Sequence, residues 1–262
     1  MENIQEIIKK STNLKHIKTL GGEIFFGEFN EKPLILTIMC KSKKELPELT
    51  NFNKLFENDR FYKFDGSTLY PLTISLIYPA LEEDFKKIIY KEKIRKTETF
   101  QTYLTEVFPK IKNQDLTWID EIINGKKEQE SIIFQNDDFI LLPDLKWDTN
   151  DINELYCLVI VKHKNLRSIR DLNSNHIKLL EDIESIGCTK IQEKYKISKN
   201  MIRIYFHYHP SFWQLHIHFN LISSLRKGAS IDVSHQLNSV INNIKLCPEY
   251  YQKIELDIIE YI

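Results

Sequence analysis

Two neighbouring stretches near the end of the chain alternate apolar and polar residues with a period of two, and this pattern constrains the fold most strongly. The stretches are MIRIYFHYH (201–209) and FWQLHIHFNLI (212–222), and Pro210 and Ser211 separate them. Successive side chains of a β-strand point to opposite faces of a sheet, and Pro and Ser are typical turn residues. The pattern therefore predicts a pair of antiparallel strands joined by a turn.

The alternation also sorts the side chains of the two strands between the faces of the sheet. Leu215, Ile217 and Phe219 are predicted to face the core. The other face is predicted to carry Gln214, His216 and His218 from the second strand, and Arg203, Tyr205, His207 and His209 from the first.

Four histidines within this short stretch allow three interpretations. In the first interpretation the histidines are simply exposed on a half-buried sheet. A single histidine is often found in that position, but four of them opposite a strictly apolar face disfavour it. His216 and His218 could supply two zinc ligands and His207 a third, although no nearby Cys, Asp or Glu completes a set. In the third interpretation one neutral imidazole is a nucleophile and the others hold phosphate oxygens, as in a hydrolase or transferase acting on nucleotides.

The rest of the chain predicts an α+β fold in two domains. Residues 111–262 are predicted to form an antiparallel sheet with a long packed helix. Its elements are a short helix in 115–130 ended by Gly125, strands on either side of a turn in 131–144, a buried strand at 155–163, a helix from the cap Asn173 to Tyr195, a helix at 231–245, and a closing strand at 253–262. Residues 1–110 are predicted to form a smaller α+β domain, with strands at 24–29 and 33–40 around Asn30-Glu31, an extended stretch at 67–80 and a helix at 80–96.

Composition excludes several functional classes. Lys and Arg together number 36 and Asp and Glu 37, so no broad basic field is available to bind a long polyanion. Neither G-x-G-x-x-G nor G-x-x-x-x-G-K-[ST] occurs, which argues against a glycine-rich phosphate loop. Four widely spaced cysteines, no signal peptide pattern and no long apolar run predict an intracellular protein, cytoplasmic or nuclear, without a membrane span.

The 13-residue segment HYHPSFWQLHIHF (207–219) resembles the signature of the histidine triad superfamily, in the version found in scavenger mRNA-decapping enzymes. The resemblance covers most of the chain from about residue 55. It extends to TWIDEIINGKKE (117–128), IIFQNDDFILLPDLKW (132–147), LRSIRDL (166–172), CPEYYQ (247–252), LIYPA (76–80) and, more weakly, NDRFY (58–62).

This resemblance implies catalytic roles for residues of the strand pair. His216, the central histidine, would be the nucleophile, and His218 and His207 would contact phosphate oxygens. Ser211 would add a phosphate hydrogen bond. Gln214 stands where the first triad histidine is expected, so it can offer a neutral N–H to the substrate but cannot carry charge.

The resemblance also implies a binding site for 7-methylguanosine. Trp118 would stack on the base, because N7-methylation makes the ring cationic and an aromatic face attracts a cation. Glu128 would accept hydrogen bonds from the guanine edge, and Asp144 and Lys146 would reach the base or ribose and the phosphates. The opposite wall would be formed by Pro143 and Leu145. Taken singly, a helical tryptophan such as Trp118 is more often a core residue than a stacking platform. The charge run that contains Glu128 is typical of a solvated face, and Trp147 is a core candidate.

The implied activity is hydrolysis of the residual cap dinucleotide or of short capped oligonucleotides after 3′-to-5′ mRNA decay. The implied mechanism releases 7-methyl-GMP through a covalent histidine intermediate and needs no metal or cofactor. The resemblance further implies a homodimer in which the N-terminal domains are exchanged and act as lids. A cap-binding protein with a decayed triad and a general dinucleotide hydrolase remain alternatives.

Overall fold

A computed structural model of the chain describes residues 4–19, 22–40, 52–58, 60–67, 71–82, 84–85, 93–144, 147, 149, 151–224 and 229–261. The chain forms two compact units, residues 1–93 together with 261–262, and residues 94–260. Among the described residues, no helix combines the length and the apolar character that a membrane crossing requires.

The first unit is an antiparallel sheet of six strands with the short helix α1 (Ile4–Lys10). The strand order is β1-β2-β3-β6-β5-β4. The strands are β1 (Thr12–Thr19), β2 (Gly22–Phe29), β3 (Lys32–Cys40), β4 (Phe52–Asn58), β5 (Phe61–Ser67) and β6 (Pro71–Ile77). The bend predicted at Asn30-Glu31 is confirmed: both residues have positive φ, 48° and 61°, as a two-residue hairpin turn requires. Ile4 and Ile7 of α1 belong to the apolar cluster of this sheet.

The second unit is built on another antiparallel sheet of six strands. Its order is β13-β11-β12-β10-β9-β8, and a separate ladder joins β7 and β14. The strands are β7 (Lys93–Glu98), β8 (Phe134–Gln135), β9 (Phe139–Pro143), β10 (Tyr156–Val161), β11 (Ile202–His207), β12 (His216–Leu221), β13 (Ser234–Gln236) and β14 (Leu256–Tyr261). The paired strands predicted from the histidine-rich stretch are β11 and β12, with Tyr205 opposite His218.

The helices of the second unit include the long helix predicted from the apolar stripe. The α-helices are α2 (Thr117–Ile123), α3 (Ile177–Tyr195), α4 (Leu237–Leu246) and α5 (Tyr250–Lys253). A continuous helical segment also runs over residues 100–111, with π-helical geometry at Tyr103–Val107, and short 3₁₀ turns occur at Gln129–Ser131, Ile152–Glu154, Ile169–Asp171, Ser174–His176 and Lys199–Met201.

Helix α3 approaches the sheet closely at Gly187. A Cβ atom at this position would lie 2.8 Å from the ring of Phe219 on β12, so only glycine fits without displacement of that ring. Leu180, Ile183 and Ile191 of α3 are fully buried in the same cluster. The predicted α+β class, with antiparallel sheets and a long packed helix, is therefore confirmed.

The six-stranded sheet of the second unit packs an apolar cluster on each face. Leu141, Val159, Ile217 and Phe219 lie in the cluster that contains α3. The alternate residues Ile140, Leu142, Leu158 and Ile160 lie in a different cluster, together with Ile119 and Ile122 of α2. The core-facing set predicted from the alternation, Leu215, Ile217 and Phe219, is confirmed.

Three features of the fold differ from the sequence-based expectations. The predicted helix 80–96 does not extend to its end, because Lys93–Glu98 pairs with β14 as a strand. The helix predicted at 231–245 begins only at Leu237, since Ser234–Gln236 adds a strand beside β11. The division between the compact units falls at residue 93 rather than 110, because Phe100, Tyr103, Val107 and Phe108 pack on the core of the second unit.

Candidate active site

Three histidines converge at the centre of the second unit. The ring centroids of His207 and His218 are 4.1 Å apart, and those of His216 and His218 are 5.0 Å apart. The pairing of β11 with β12 produces this arrangement, because His207 ends one strand and His216 begins the other. The structure therefore brings together the three residues predicted to carry the chemistry.

His216 is held in one orientation by the backbone. Its side chain is buried, and Nδ1 lies 2.7 Å from the carbonyl oxygen of Gln214. A carbonyl oxygen can only accept, so Nδ1 must carry the hydrogen and donate it. In the neutral imidazole the lone pair then resides on Nε2. Phe212 stacks on the ring, with centroids 3.9 Å apart and planes inclined by 21°.

His218 lies among tyrosines. Its Nδ1 is 2.9 Å from the hydroxyl oxygen of Tyr156 on β10. The ring of Tyr205 stacks on it at 5.2 Å, so the side chain is fixed on two sides. The alternating pattern places Tyr205 on the histidine face but predicts no role for Tyr156. Alternation along β10 puts Tyr156 on the same face as Leu158, and Leu158 lies opposite His218. The contact between Tyr156 and His218 could therefore be predicted only with the register between β10 and β12 known.

His209 does not join this cluster. Strand β11 ends at His207, and the imidazole Nε2 of His209 lies 2.7 Å from Oε2 of the buried Glu98. The expectation that His209 shares the face of His207 through continued alternation is therefore wrong. Its partner is distant in sequence, in β7, so the local pattern contained no sign of the pair.

Gln214 is also placed differently from the expectation that it lies on the strand beside His216. It precedes β12, is buried, and its side-chain amide donates to the carbonyl oxygens of Val161 at 2.6 Å and His163 at 3.1 Å. Both amide hydrogens are thus directed at the backbone where β10 ends. This geometry does not favour the predicted contact between the Gln214 amide and substrate.

Trp118 lies on the same side of the sheet as the histidines. It is part of α2, which packs on the cluster formed by Leu158 and Ile160. The rings of Trp118 and Phe212 make an edge-to-face contact, with their centroids 5.1 Å apart. Phe212 in turn stacks on His216. The structure therefore links the predicted base-stacking residue to the predicted nucleophile through one aromatic ring.

Two carboxyl groups predicted to bind the base interact electrostatically. Burial, followed by the negative charge of Asp144, raises the pKa of Glu128 above its ordinary value. The backbone of Asp144 is fixed by a hydrogen bond from its N–H to the carbonyl oxygen of Tyr156, 2.8 Å. Glu128 has a φ of 58° and directly precedes a 3₁₀ turn. Two mutually repelling, partly buried carboxyl groups are suited to a cationic ligand.

The remaining predicted site residues have varied positions. Pro143 ends β9 and is half-buried, whereas Ser211 is exposed in the segment between β11 and β12. Leu145 and Lys146 lie outside the described residues. Trp147 is buried and donates its indole N–H to the carbonyl oxygen of Asp151, which confirms it as a core residue.

The histidine cluster could also hold a metal ion. The ligand nitrogens of His207, His216 and His218 all lie within 4.8 Å of one another. Among the described residues, no carboxylate or thiolate belongs to this group. Three imidazoles can bind zinc with water as the fourth ligand, so the geometry alone fits both a metal and a phosphate group.

Comparison with known proteins decides the family. A family model described as "Scavenger mRNA decapping enzyme C-term binding" matches residues 117–231. A protein of Schizosaccharomyces pombe named "m7GpppX diphosphatase" is 32% identical over 273 residues, which cover 96% of this chain and 88% of that protein. The chain belongs to the scavenger mRNA-decapping enzyme family. The predicted resemblance is thus confirmed, and the match to the S. pombe member includes most of the first unit.

Other family members are longer than this chain. The "m7GpppX diphosphatase" of Ascaris suum is 40% identical over 188 residues, which cover 70% of this chain and 62% of that protein. This chain therefore spans about three fifths of the length of that relative. Among solved structures, one titled "Hnt3 in complex with DNA and guanosine" shares 15% identity with a TM-score of 0.31, covering 44% of this chain and 65% of that one.

Proposed function

We propose that this protein is a hydrolase that cleaves the residual 7-methylguanosine cap dinucleotide, or short capped oligonucleotides, left by 3′-to-5′ mRNA decay. The observation that carries the proposal is the hydrogen bond from Nδ1 of His216 to the carbonyl oxygen of Gln214. It directs the Nε2 lone pair of a neutral imidazole into a cluster of two further histidines, as a nucleophile toward phosphorus requires. The S. pombe and A. suum relatives are both named "m7GpppX diphosphatase".

The first step forms a bond between Nε2 of His216 and the phosphorus next to 7-methylguanosine. The bond from that phosphorus to the bridging oxygen breaks, and a nucleoside diphosphate or a short RNA with a 5′-diphosphate leaves. His218 and His207 supply hydrogen bonds to the phosphate oxygens as charge develops on them. Water then attacks the same phosphorus, the P–N bond breaks, and 7-methyl-GMP and free His216 are released.

The base is recognised on the same side of the sheet. Trp118 offers a ring face to the cationic 7-methylguanine, and base–aromatic stacking contributes about 1–3 kcal/mol. Glu128 accepts from the two donors of the guanine edge, and Asp144, Pro143, Leu145 and Lys146 complete the site. The raised pKa of Glu128 supports this assignment, because burial and the charge of Asp144 outweigh the opposing charge of Lys127, and a cationic ligand would offset them.

The functional form is proposed to be an intracellular homodimer in the cytoplasm or the nucleus, with exchanged N-terminal domains that act as lids over the sites. Near-equal numbers of acidic and basic residues support short rather than long RNA as the partner.

The test is hydrolysis of a labelled methylated cap dinucleotide by the purified full chain in the presence of a chelator. Release of 7-methyl-GMP is expected. Tight binding without product would show a cap-binding protein in which Gln214 marks a decayed triad. Equal turnover of the unmethylated dinucleotide would show a general dinucleotide hydrolase, and activity that needs added zinc would show a metal centre at the three histidines.

A further inference from the structure

Glu98 on β7 is a buried carboxylate outside the site described above. It is 1% exposed and contacts three side chains. Arg170 donates to Oε1 from Nε at 3.3 Å and from Nη2 at 3.0 Å, the hydroxyl of Tyr208 donates to the same oxygen, and Nε2 of His209 lies 2.7 Å from Oε2. Both carboxylate oxygens are therefore engaged.

The position of Glu98 is itself fixed. Arg170 is fully buried, and its Nη1 donates to the carbonyl oxygens of Tyr251 at 2.8 Å and Ile254 at 2.9 Å. Burial alone would raise the pKa of Glu98, but the hydrogen bonds from His209 and Tyr208 outweigh it and hold this pKa below its ordinary value. Glu98 thus remains ionised and holds these partners with charge-assisted bonds.

Stability alone is a weak explanation for such a group. A buried ion pair often contributes no more to folding than well-packed apolar residues of similar volume, because desolvating the charges offsets their attraction. A buried charged group can instead serve to fix the conformation of the residues around it. The residues that Glu98 holds show what that role is.

Tyr208 and His209 begin the segment 208–215, which connects β11 to β12 and which we name the connecting loop. It starts directly after His207 and ends directly before His216. The far end of the loop is also anchored, since the N–H of Trp213 donates to Oε1 of Gln114 at 2.9 Å and the N–H of Leu215 to the carbonyl oxygen of Leu166 at 2.8 Å.

The middle of the connecting loop carries the residue that touches the nucleophile. Phe212 stacks on the imidazole of His216 at 3.9 Å. Only two residues, Pro210 and Ser211, separate it from His209. A displacement of Tyr208 and His209 is therefore transmitted to Phe212 over a very short length of chain.

We propose that Glu98 is a positioning residue, which sets the connecting loop through Tyr208 and His209 and so fixes Phe212 against His216. The catalytic part of this inference rests on the proposed function. The positioning part concerns the ring of His216 alone and can be measured without any substrate.

The first experiment compares the NMR signals of the His216 ring in the wild-type protein, in Glu98→Gln and in His209→Gln, with the signal assigned through His216→Asn. A proton above an aromatic ring is shifted upfield by the ring current, so the stacked Phe212 should shift His216 upfield. Both variants should move the signal downfield. His209 is partly exposed, so His209→Gln keeps the test valid if Glu98→Gln does not fold.

The second experiment measures cap hydrolysis by the same variants. We expect kcat to fall by about 10- to 100-fold, because misplacing a reacting group by about 1 Å can cost that much. KM should change less than kcat, since Glu128 and Asp144 are untouched and the connecting loop meets the base site through the edge contact of Phe212 with Trp118. Asp257→Asn is the matched control: it removes the exposed negative charge that Asp257 presents to Arg95 and Thr97 of β7, and should alter neither kcat nor the His216 signal.

A general loss of stability is separated from positioning by Ile191→Val in α3, a fully buried site. This variant should lower Tm without a change in kcat or in the His216 signal. An unchanged His216 signal in folded Glu98→Gln and His209→Gln overturns the proposal. If the wild type does not hydrolyse the cap, the proposed function fails, while a downfield shift in the variants still establishes the positioning of His216.

Discussion

The two faces of the six-stranded sheet in the second unit differ although the same strands build them. Along β12, His216 and His218 face the histidine cluster, and Ile217 and Phe219 face helix α3. All four are buried, but of these four only His216 and His218 are oriented by side-chain hydrogen bonds. The packing of Ile217 and Phe219 in the core thus fixes the strand that carries His216 and His218, and so holds both histidines in place at the site.

The largest expected effect is on the histidine face. His216→Asn removes the proposed nucleophile, and turnover of the methylated cap dinucleotide should fall by about 10⁴-fold or more. Binding should persist, because the base contacts are elsewhere, and equilibrium titration with 7-methyl-GMP checks this. Normal turnover by the variant would remove His216 from the mechanism.

The core face should respond in stability instead. Phe219→Ala empties a fully buried site beside Gly187, and the free energy of unfolding should decrease by about 3–5 kcal/mol. Chemical denaturation measures this change. Leu246→Ala is the control, because Leu246 is largely exposed and its loss should be nearly neutral. A similar loss in both variants would contradict the packing described here.

A smaller effect is expected for ligand affinity at the edge of the histidine face. Trp118→Ala should weaken binding of 7-methyl-GMP by about 1–3 kcal/mol, the contribution of one stacked base. Calorimetric titration gives the dissociation constant. Trp147→Phe is the matched control, since Trp147 packs in the core beside Tyr195 and its change should lower stability without altering affinity. An unchanged dissociation constant for Trp118→Ala would exclude stacking on this residue.

The smallest effect should appear only as a pH dependence of stability. Because the pKa of Glu128 is raised in the folded state, its charged form destabilises the fold at neutral pH. Glu128→Gln should therefore be more stable than the wild type near pH 7. The gain should shrink as the pH falls through the raised pKa and vanish below the ordinary value of 4.5.

Thermal melts across this pH range measure the difference between Glu128→Gln and the wild type. The neighbouring variant Glu130→Gln changes the net charge equally at an exposed position and serves as the control. A gain that is independent of pH, or equal in both variants, would show that burial beside Asp144 is not its origin.

Alternation along β12 predicted the faces correctly, because the side-chain period of a strand depends only on local geometry. The same rule failed at His209, where the strand has already ended and Glu98, 111 residues away, determines the position of the side chain. Helical spacing failed in the same way at 93–96, where pairing with β14 overrides it. Contacts between distant parts of the chain are the common cause, and no local pattern reports them.

The hydrogen bond from His216 to Gln214 has a consequence for substitutions at position 214. The acceptor is the main-chain carbonyl of residue 214, which every amino acid possesses, so the tautomer of His216 does not depend on the side chain at that position. The side chain of Gln214 instead donates its amide hydrogens to the carbonyl oxygens of Val161 and His163. A neutral imidazole carries only one such hydrogen, so Gln214→His would leave one of these carbonyl oxygens without a side-chain donor. Residue 214 thus has two separate tasks: its main chain sets the tautomer of His216, and its side chain ties the start of β12 to the end of β10.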